Sequence, residues 1–258
     1  MKSTKLEQFD YAFRAAGLKD IGRLRDSNQD EVVLCPEIGF FAVSDGMGGL
    51  SGGALASEFV GKSMPDLMHI GANEFSEHKS VEEAAKAFRD TVCMMSDNLF
   101  EAGNAEKRFT YGATFSGVWL LGNKAIFVNL GDSRGYLLSR YKKQPIQITE
   151  DQNIAGILVR QGELTREAAK NHPASSRLTA FVGMKPPAEP EAFTVEVSPG
   201  DRILLCSAGL YGMMEERELA RLMRASRSPE LVCRRLIDRA NENGGRDNIS
   251  AAYIRILA

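Results

Sequence analysis

The chain has 258 residues, of which 43% are hydrophobic and 26% are charged, and its formal net charge is -2. This length suits one large domain with a substantial core, and the charge shows no basic excess that would recommend nucleic acid or an anionic membrane as a partner. Because the sequence shows neither the apolar stretch of a signal peptide nor a run long enough to span a bilayer, we predict a cytoplasmic protein. We also expect it to be a monomer.

Short apolar runs that end in turns predict the strands. They cover residues 38–44, 113–121, 124–130, 135–140, 192–197, 202–207 and 249–256. Gly122-Asn123 is a typical hairpin turn between two of them.

Capping residues mark two of the predicted helices. Residues 80–83, Ser-Val-Glu-Glu, form a capping box whose side chains can satisfy the free N–H groups of the first turn. Residues 228–229, Ser-Pro, supply an N-cap followed by a first-turn proline. Apolar spacing predicts further helices at residues 52–69 and 215–224, and a small helical insertion at residues 149–172.

The strands and helices occur in separate blocks with hairpin connections. This arrangement indicates an α+β protein rather than a βαβ fold. We therefore predict an αββα sandwich, in which two antiparallel sheets pack face to face with a helical pair outside each.

Four aspartates lie at the ends of predicted strands or in turns beside them: Asp30, Asp45, Asp132 and Asp247. Each one alone is typical of an ordinary turn, but four at strand ends can gather at one rim of a sandwich. Carboxylate oxygens suit Mg²⁺ or Mn²⁺ better than Zn²⁺. Arg25 could hold a phosphate near such ions, or it could be an ordinary surface arginine.

Cysteine and histidine offer little for a softer metal. The chain has four cysteines and three histidines: Cys35, Cys93, Cys206, Cys233, His69, His78 and His172. No CxxC spacing occurs, so free thiols are favoured over a disulfide or a zinc site. A multi-histidine metal site is nearly excluded.

Six motifs follow one another along the chain: Arg25-Asp-Ser-Asn-Gln-Asp, Asp45-Gly-Met-Gly-Gly, Tyr111-Gly-Ala-Thr, Gly131-Asp-Ser-Arg, Leu178-Thr-Ala-Phe-Val-Gly and Gly244-Gly-Arg-Asp-Asn. In kind and order they resemble the motifs of the type-2C metal-dependent protein serine/threonine phosphatases (the PPM family), bacterial branch. The resemblance runs from about residue 16 to the last residue. It implies the same αββα sandwich and hydrolysis of phosphoserine and phosphothreonine in proteins by a metal-bridging hydroxide. The implied substrates are phosphorylated proteins, the products of a serine/threonine kinase.

The resemblance also implies a set of metal ligands for Mn²⁺ or Mg²⁺. Asp45 would bridge two core ions, the Gly46 carbonyl would bind the second and Asp247 the first. Asp132 would serve a third, weaker ion.

Two catalytic residues follow from the same resemblance. Asp30 would act through metal-bound water, and Arg25 would hold the phosphate. Residues 1–258 would form a single catalytic domain, with a flap subdomain at about residues 149–183 bordering the site.

Three positions depart from the family pattern. Ala208 stands where the family has an aspartate that serves the first and third ions. Residues 151–153 read Asp-Gln-Asn instead of Asp-His-Ser, and residues 179–183 read Thr-Ala-Phe-Val-Gly instead of Thr-Arg-Ala-Leu-Gly. The missing carboxylate at position 208 predicts weaker metal binding and slower hydrolysis.

Three explanations of Ala208 stay open: an engineered inactivating substitution, a natural variant of low activity, or a pseudophosphatase that binds phosphoproteins. We favour the first, since one broken rule in a consistent sequence needs its own explanation. A scaffold that uses metals only for folding would leave Arg25 and the flap without a role.

Overall fold

The computed structural model describes residues 4–74, 80–105, 112–170 and 172–258. Tyr111, the first residue of the predicted Tyr-Gly-Ala-Thr motif, lies outside the described residues. The strands are β1 (Thr4–Lys5), β2 (Ala12–Asp20), β3 (Asp30–Cys35), β4 (Phe40–Met47), β5 (Gly112–Ala113), β6 (Phe115–Leu121), β7 (Lys124–Leu130), β8 (Arg134–Leu138), β9 (Ile146–Gln147), β10 (Glu191–Glu196), β11 (Arg202–Cys206) and β12 (Ile249–Ile256). The helices are α1 (Gly49–Glu74), α2 (Val81–Ala105), α3 (Ile154–Arg160), α4 (Arg166–Lys170), α5 (Ala208–Tyr211), α6 (Glu216–Met223) and α7 (Pro229–Glu242).

The strands form two antiparallel sheets. The first has the order β1-β2-β12-β11-β8-β9, and the second has the order β10-β7-β6-β4-β3, with β5 paired to β4. Helices α1 and α2 pack on the second sheet, and α7 packs on β2 and β12 of the first, with α6 against it. None of the helices in the described ranges combines the length and the apolar character that a bilayer crossing requires.

Three apolar layers hold the sandwich together. The middle layer lies between the sheets and includes Phe13 and Phe41, whose rings meet edge to face at 5.7 Å between centroids. The two outer layers join each sheet to its helices; Phe88 of α2 and Leu236 of α7 are among their members. Alternate residues of the central strands therefore bury both faces of each sheet.

The starts of the two helices with predicted caps are confirmed. The Glu83 N–H donates to the Ser80 hydroxyl, and the Ser80 N–H donates to the Glu83 carboxylate, at 3.2 and 2.7 Å. Ser228 caps α7, and Pro229 occupies its first turn. The insertion predicted at residues 149–172 contains α3 and α4.

Some predicted bounds were wrong. Strand β4 continues to Met47 instead of ending before Asp45, because its last residues pair with β3 and β5. The strand predicted at 135–140 ends at Leu138, and α1 is longer than the predicted 52–69. No strand was predicted at β2, where only Phe13 and Ala16 are buried and the alternation of polar and apolar residues is broken.

Candidate metal centre

Asp30 and Asp45 face each other across two neighbouring strands. Asp30 is the first residue of β3, Asp45 lies near the end of β4, and the antiparallel register pairs them directly. Directly paired residues carry their side chains on the same face of a sheet, with Cβ atoms about 5 Å apart. Asp30 is fully buried and Asp45 is partly buried, so the two carboxyl groups share a site that is shielded from most of the solvent.

The backbone around Asp45 is held from several sides. Its N–H donates to the Thr114 hydroxyl at 3.0 Å, and its carbonyl accepts from the Thr114 N–H at 2.8 Å. The next N–H, that of Gly46, donates to the Gln29 carbonyl at 3.0 Å. A Cβ on Gly46 would lie 2.1 Å from the carbonyl oxygen of Gly53 in α1. Glycine is therefore required here for α1 to approach the strand end.

Electrostatic interactions connect the four aspartates that were predicted as site residues, Asp30, Asp45, Asp132 and Asp247. We call this group the carboxylate cluster. Burial raises the pKa of Asp45 well above its ordinary value, and the charges of the other three raise it further. Within the described ranges, no three of these carboxylates place an oxygen each within 4.8 Å of one another. The four carboxylates are therefore spread more widely than the ligand shell of a single ion.

Asp30 carries a buried carboxyl group. Burial raises its pKa to about 6, and the charge of Asp247 adds to the rise. The hydroxyls of Ser207 and Ser250 are close enough to favour its charged form, yet neither Asp30 oxygen has a hydrogen bond of normal geometry within the described residues. A buried carboxylate left in this way costs free energy unless a cation or a bound water satisfies it.

The donor atoms of the carboxylate cluster fit a hard divalent cation. All of them are carboxylate oxygens, which Mn²⁺ and Mg²⁺ prefer over nitrogen and sulfur. A cation among them would remove the repulsion that raises the pKa of Asp45, and it would give the orphaned Asp30 oxygens a partner directly or through water. The residues present therefore fit the predicted metal ions.

Arg25 and Asp247 form an ion pair at the edge of the cluster. The Arg25 Nε lies 2.9 Å from Asp247 Oδ1, and its Nη2 donates to Oδ2 at 2.9 Å. This contact is bidentate, which fixes the plane of the guanidinium. The Arg25 side chain is 55% exposed and that of Asp247 is 40% exposed, so the arginine stands at the rim with one face open to solvent.

Asn248 holds the Arg25 loop in place. Its Oδ1 accepts from the Gln29 N–H, and its Nδ2 donates to the carbonyls of Ile21 and Ser27, each at 2.9 Å. The side chain thereby ties the loop before Asp30 to the start of β12. No role for Asn248 was predicted from the sequence; an amide side chain directly after a site aspartate was the available signal.

Asp132 lies in the turn between β7 and β8 and is 8% exposed. Burial raises its pKa to about 6, and the charge of Asp151 adds to the rise. The Asn153 amide donates to Asp132 Oδ2 at 3.3 Å. The neighbouring Gly131 N–H donates to the Gln152 side chain at 2.8 Å, so all three residues at the departure 151–153 act on this turn.

A second ion pair, which is buried, anchors the same segment. Arg134 of β8 donates to both oxygens of Asp151, at 2.8 and 2.6 Å, and its guanidinium lies 3.6 Å from the centre of the Tyr211 ring. A cavity of about 680 Å³ adjoins this pair and is lined otherwise by α3, α4 and residues 215–217. The cavity does not include the carboxylate cluster; it borders the cluster through Arg134 and Asp151.

Ala208 begins α5 one residue after Ser207, beside the cluster. A Cβ on the next residue, Gly209, would lie 1.9 Å from the Asn248 carbonyl oxygen and 3.2 Å from the Asp247 Cβ. Position 208 is thus next to the chain segment that carries Asp247. Ala208 is partly buried and packs against the apolar layer under α5 and α7.

Comparisons with known proteins agree with this geometry. A sequence model of protein phosphatase 2C matches residues 21–249. The chain is 30% identical over 239 residues to the serine/threonine phosphatase stp of Listeria monocytogenes, covering 91% of this chain and 92% of that protein.

Solved structures with the same fold include two bacterial phosphatases. The catalytic domain of serine/threonine protein phosphatase PstP, in complex with 2 manganese ions, matches with a TM-score of 0.78 and 26% identity over 95% of this chain and 99% of that one. Serine/threonine phosphatase Stp1 from Staphylococcus aureus matches with a TM-score of 0.85 and 24% identity over 99% of both chains. The αββα sandwich predicted from the sequence is confirmed.

Proposed function

The chain belongs to the protein phosphatase 2C family, and on this premise we propose that it hydrolyses phosphoserine and phosphothreonine in proteins with bound divalent metal ions. The observation that carries the proposal is the carboxylate cluster, in which three other aspartates act on Asp45, and the buried Asp30 oxygens have no hydrogen bond of normal geometry within the described residues. Acidic groups whose pKa values are raised by burial and by one another cluster at functional sites.

The proposed metal ligands are the Asp45, Asp132 and Asp247 carboxylates and the Gly46 carbonyl. Asp45 would be a ligand common to two core ions, Mn²⁺ or Mg²⁺, and Asp132 would be a ligand of a third, weaker ion. When bound, the ions activate a water molecule for attack on phosphorus and offset charge on the phosphoryl oxygens.

Two side chains of the chain itself act on the substrate side. Asp30, fully buried and facing Asp45, holds and orients water by accepting its hydrogen bonds. Arg25 stands at the open rim and places its guanidinium against the phosphate, which its fixed plane allows it to bind through two N–H groups. Its pairing with Asp247 keeps the guanidinium within reach of the cluster.

The missing carboxylate at position 208 weakens this chemistry. In the family pattern an aspartate there adds a negative charge between the ions, and the methyl group of Ala208 packs instead against apolar side chains. With less negative charge to offset their repulsion, metal ions would repel each other more strongly. The affinity for the first and third metal ions should therefore fall. The proposal is therefore a phosphatase of reduced turnover.

The substrates in this proposal are phosphoproteins made by a serine/threonine kinase, and the enzyme acts as a cytoplasmic monomer. Residues 1–258 serve as one catalytic domain, and residues 149–183 as its flap. The contacts of Gln152 and Asn153 with the Gly131–Asp132 turn support the assignment of these residues to a flap that borders the site, because the contacts link the first residues of the flap to a proposed metal ligand.

A second candidate function is phosphoprotein binding without turnover. The observation that favours it is Ala208 itself, since Arg25 and the scaffold are intact while one ligand position is apolar. A pseudophosphatase of this kind would retain a phosphopeptide at Arg25 but would release no phosphate.

Manganese-dependent release of phosphate from a phosphothreonine peptide separates the two functions. The chain should show slow turnover that rises about tenfold or more in Ala208→Asp, the ratio that about 1.4 kcal/mol of transition-state stabilisation gives. Turnover should cease in both proteins with a chelator. Peptide binding without turnover in either protein would favour the pseudophosphatase, and equal turnover in both would show that position 208 is not a ligand position.

A further inference from the structure

A second group of metal-binding side chains lies at the other end of the β3–β4 pair. Cys35 is the last residue of β3, Glu37 lies in the turn that follows, and His69 projects from α1. One ligand atom from each, a sulfur, an oxygen and a nitrogen, lies within 4.8 Å of the other two. Only this group in the described ranges meets that condition with three such residues.

The distances are close to those of a metal ligand shell. The His69 Nε2 lies 3.0 Å from Glu37 Oε1. A tetrahedral Zn²⁺ with bonds of about 2.0 Å to nitrogen and oxygen holds those two atoms about 3.3 Å apart. Small side-chain rotations would therefore admit an ion between the three atoms.

The three ligands stand on rigid supports. The turn is closed by hydrogen bonds from the Ile38 N–H to the Cys35 carbonyl and from the Gly39 N–H to the Pro36 carbonyl, at 3.2 and 3.3 Å. The Trp119 indole N–H donates to the Ile38 carbonyl at 3.0 Å. A site that is already ordered avoids most of the entropy cost of arranging its ligands.

The group has a buried side and an open side. Cys35 is 5% exposed, whereas the side chains of Glu37 and His69 are 56% and 41% exposed. An ion can therefore enter from solvent and reach the sulfur. Asp66, one turn before His69 on α1, acts electrostatically on the Cys35 thiol together with Glu37, so a second carboxylate is near as a candidate fourth ligand.

This group is remote from the carboxylate cluster. Asp30 and Cys35 are the two ends of β3, and five residue steps of a strand span about 17 Å. The ligand chemistry differs as well, since thiolate and imidazole select Zn²⁺ and similar ions over Mg²⁺ and Mn²⁺.

We propose that Cys35, Glu37 and His69 bind a divalent transition-metal ion of the Zn²⁺ class, with Asp66 or water in the fourth position. The ion would link the β3–β4 turn to α1. Because it would bind the folded chain in preference to the unfolded chain, it would stabilise the folded state. This proposal does not depend on the phosphatase function.

Titration of the whole chain with Co²⁺, a coloured substitute for Zn²⁺, tests the proposal. A thiolate-to-cobalt charge-transfer band is expected at a single equivalent, and cobalt in the carboxylate cluster cannot produce it because that cluster contains no sulfur. His69→Asn, at a partly exposed position that should not disturb folding, is expected to weaken the affinity at least tenfold, and Cys35→Ser should remove the band. The matched controls His172→Asn and Cys93→Ser should keep it.

A second measurement tests whether the bound ion stabilises the folded chain. With Mn²⁺ in excess, added Zn²⁺ should raise the melting temperature of the unaltered chain but not that of His69→Asn. The absence of a thiolate band in the unaltered chain, or a band that His69→Asn leaves at full affinity, would overturn the proposal and leave His69 and Glu37 as a surface ion pair.

Discussion

The two ends of the β3–β4 pair differ in the chemistry of the side chains they carry. At one end, Asp30 and Asp45 present only carboxylate oxygens. At the other end, Cys35, Glu37 and His69 present one sulfur, one oxygen and one nitrogen. Hard cations prefer the first set and ions of the Zn²⁺ class prefer the second, so the choice of ion separates the two ends in an experiment.

The two ends also differ in how their charges are balanced. Burial raises the pKa of Asp45 and the like charges around it raise that pKa further, whereas His69 and Glu37 can pair with each other. The carboxylate end therefore gathers like charges that a cation would offset, whereas Glu37 at the far end already has a partner in His69. A bound ion should matter for activity at the first end and for stability at the second.

Replacement of Asp45 should have the largest effect and should act at one end only. In the Ala208→Asp background, Asp45→Asn removes the proposed ligand common to both core ions and should lower turnover of a phosphothreonine peptide by about a thousandfold, a loss of ~4 kcal/mol. The cobalt–thiolate band of the Cys35 group should be unchanged in the same protein.

Asp90→Asn is the matched control for this experiment. Asp90 is an exposed residue of α2 that pairs with Lys86, so its replacement should leave turnover within about twofold, as surface substitutions usually do. Full turnover in Asp45→Asn, or loss of the cobalt band with it, would break the separation between the two ends.

Replacement of Arg25 should have a smaller effect that is confined to the substrate. In the same background, Arg25→Ala should raise the KM for phosphopeptide and lower kcat, together about 10- to 100-fold in kcat/KM, since charged hydrogen bonds contribute roughly 1.5–3 kcal/mol. Manganese affinity should not fall, because Arg25 and a metal ion would compete for the negative charge of Asp247.

Arg23→Ala is the control for Arg25, since Arg23 is an exposed arginine of the same loop whose Nε donates to the Asn241 carbonyl. Its kinetics should stay close to those of the parent. Unaltered kinetics in Arg25→Ala would make Arg25 a surface residue and remove it from the mechanism.

The smallest expected effect is a pH dependence that belongs to the carboxylate end. Burial raises the pKa of Asp30 and of Asp132 from 3.8 to about 6. Between about pH 4 and pH 6 the folded chain therefore binds more protons than the unfolded chain, so the free energy of unfolding falls as pH rises through this window. Without divalent ions these two groups should make the chain about 1–3 kcal/mol less stable at pH 7 than at pH 5.

Denaturant unfolding with a chelator at both pH values measures this difference. Asp30→Asn should reduce it by about 1 kcal/mol, and Glu37→Gln at the far end should leave it unchanged. A difference that Asp30→Asn does not alter would show that Asp30 titrates normally.

Local patterns in the sequence predicted much of the fold. The strand at Lys124–Leu130 has the predicted bounds, and both capped helices begin where the caps indicate. Strand β2 was not predicted, because Arg14 and Lys19 interrupt its apolar pattern and its pairing with β12, over two hundred residues away, decides its conformation. Helix α5 was missed because four residues are too few to show a period.

The candidate sites were predictable to different degrees. The motif order pointed to the aspartates, and the structure brings all four into electrostatic contact. The Arg25–Asp247 ion pair and the clamp by Asn248 join residues more than 200 positions apart, which no local pattern reveals. The proximity of Cys35 and His69 was not predicted, because it depends on how α1 packs along β3.

Crystals grown with Mn²⁺ test the central claim most directly, because anomalous scattering locates the ions and their ligands together. The account predicts an ion with oxygens of both Asp45 and Asp247 at hard-cation ligand distances of about 2.0–2.4 Å, and no manganese at Cys35. Manganese peaks at which Asp45 and Asp247 have no ion in common would contradict the account.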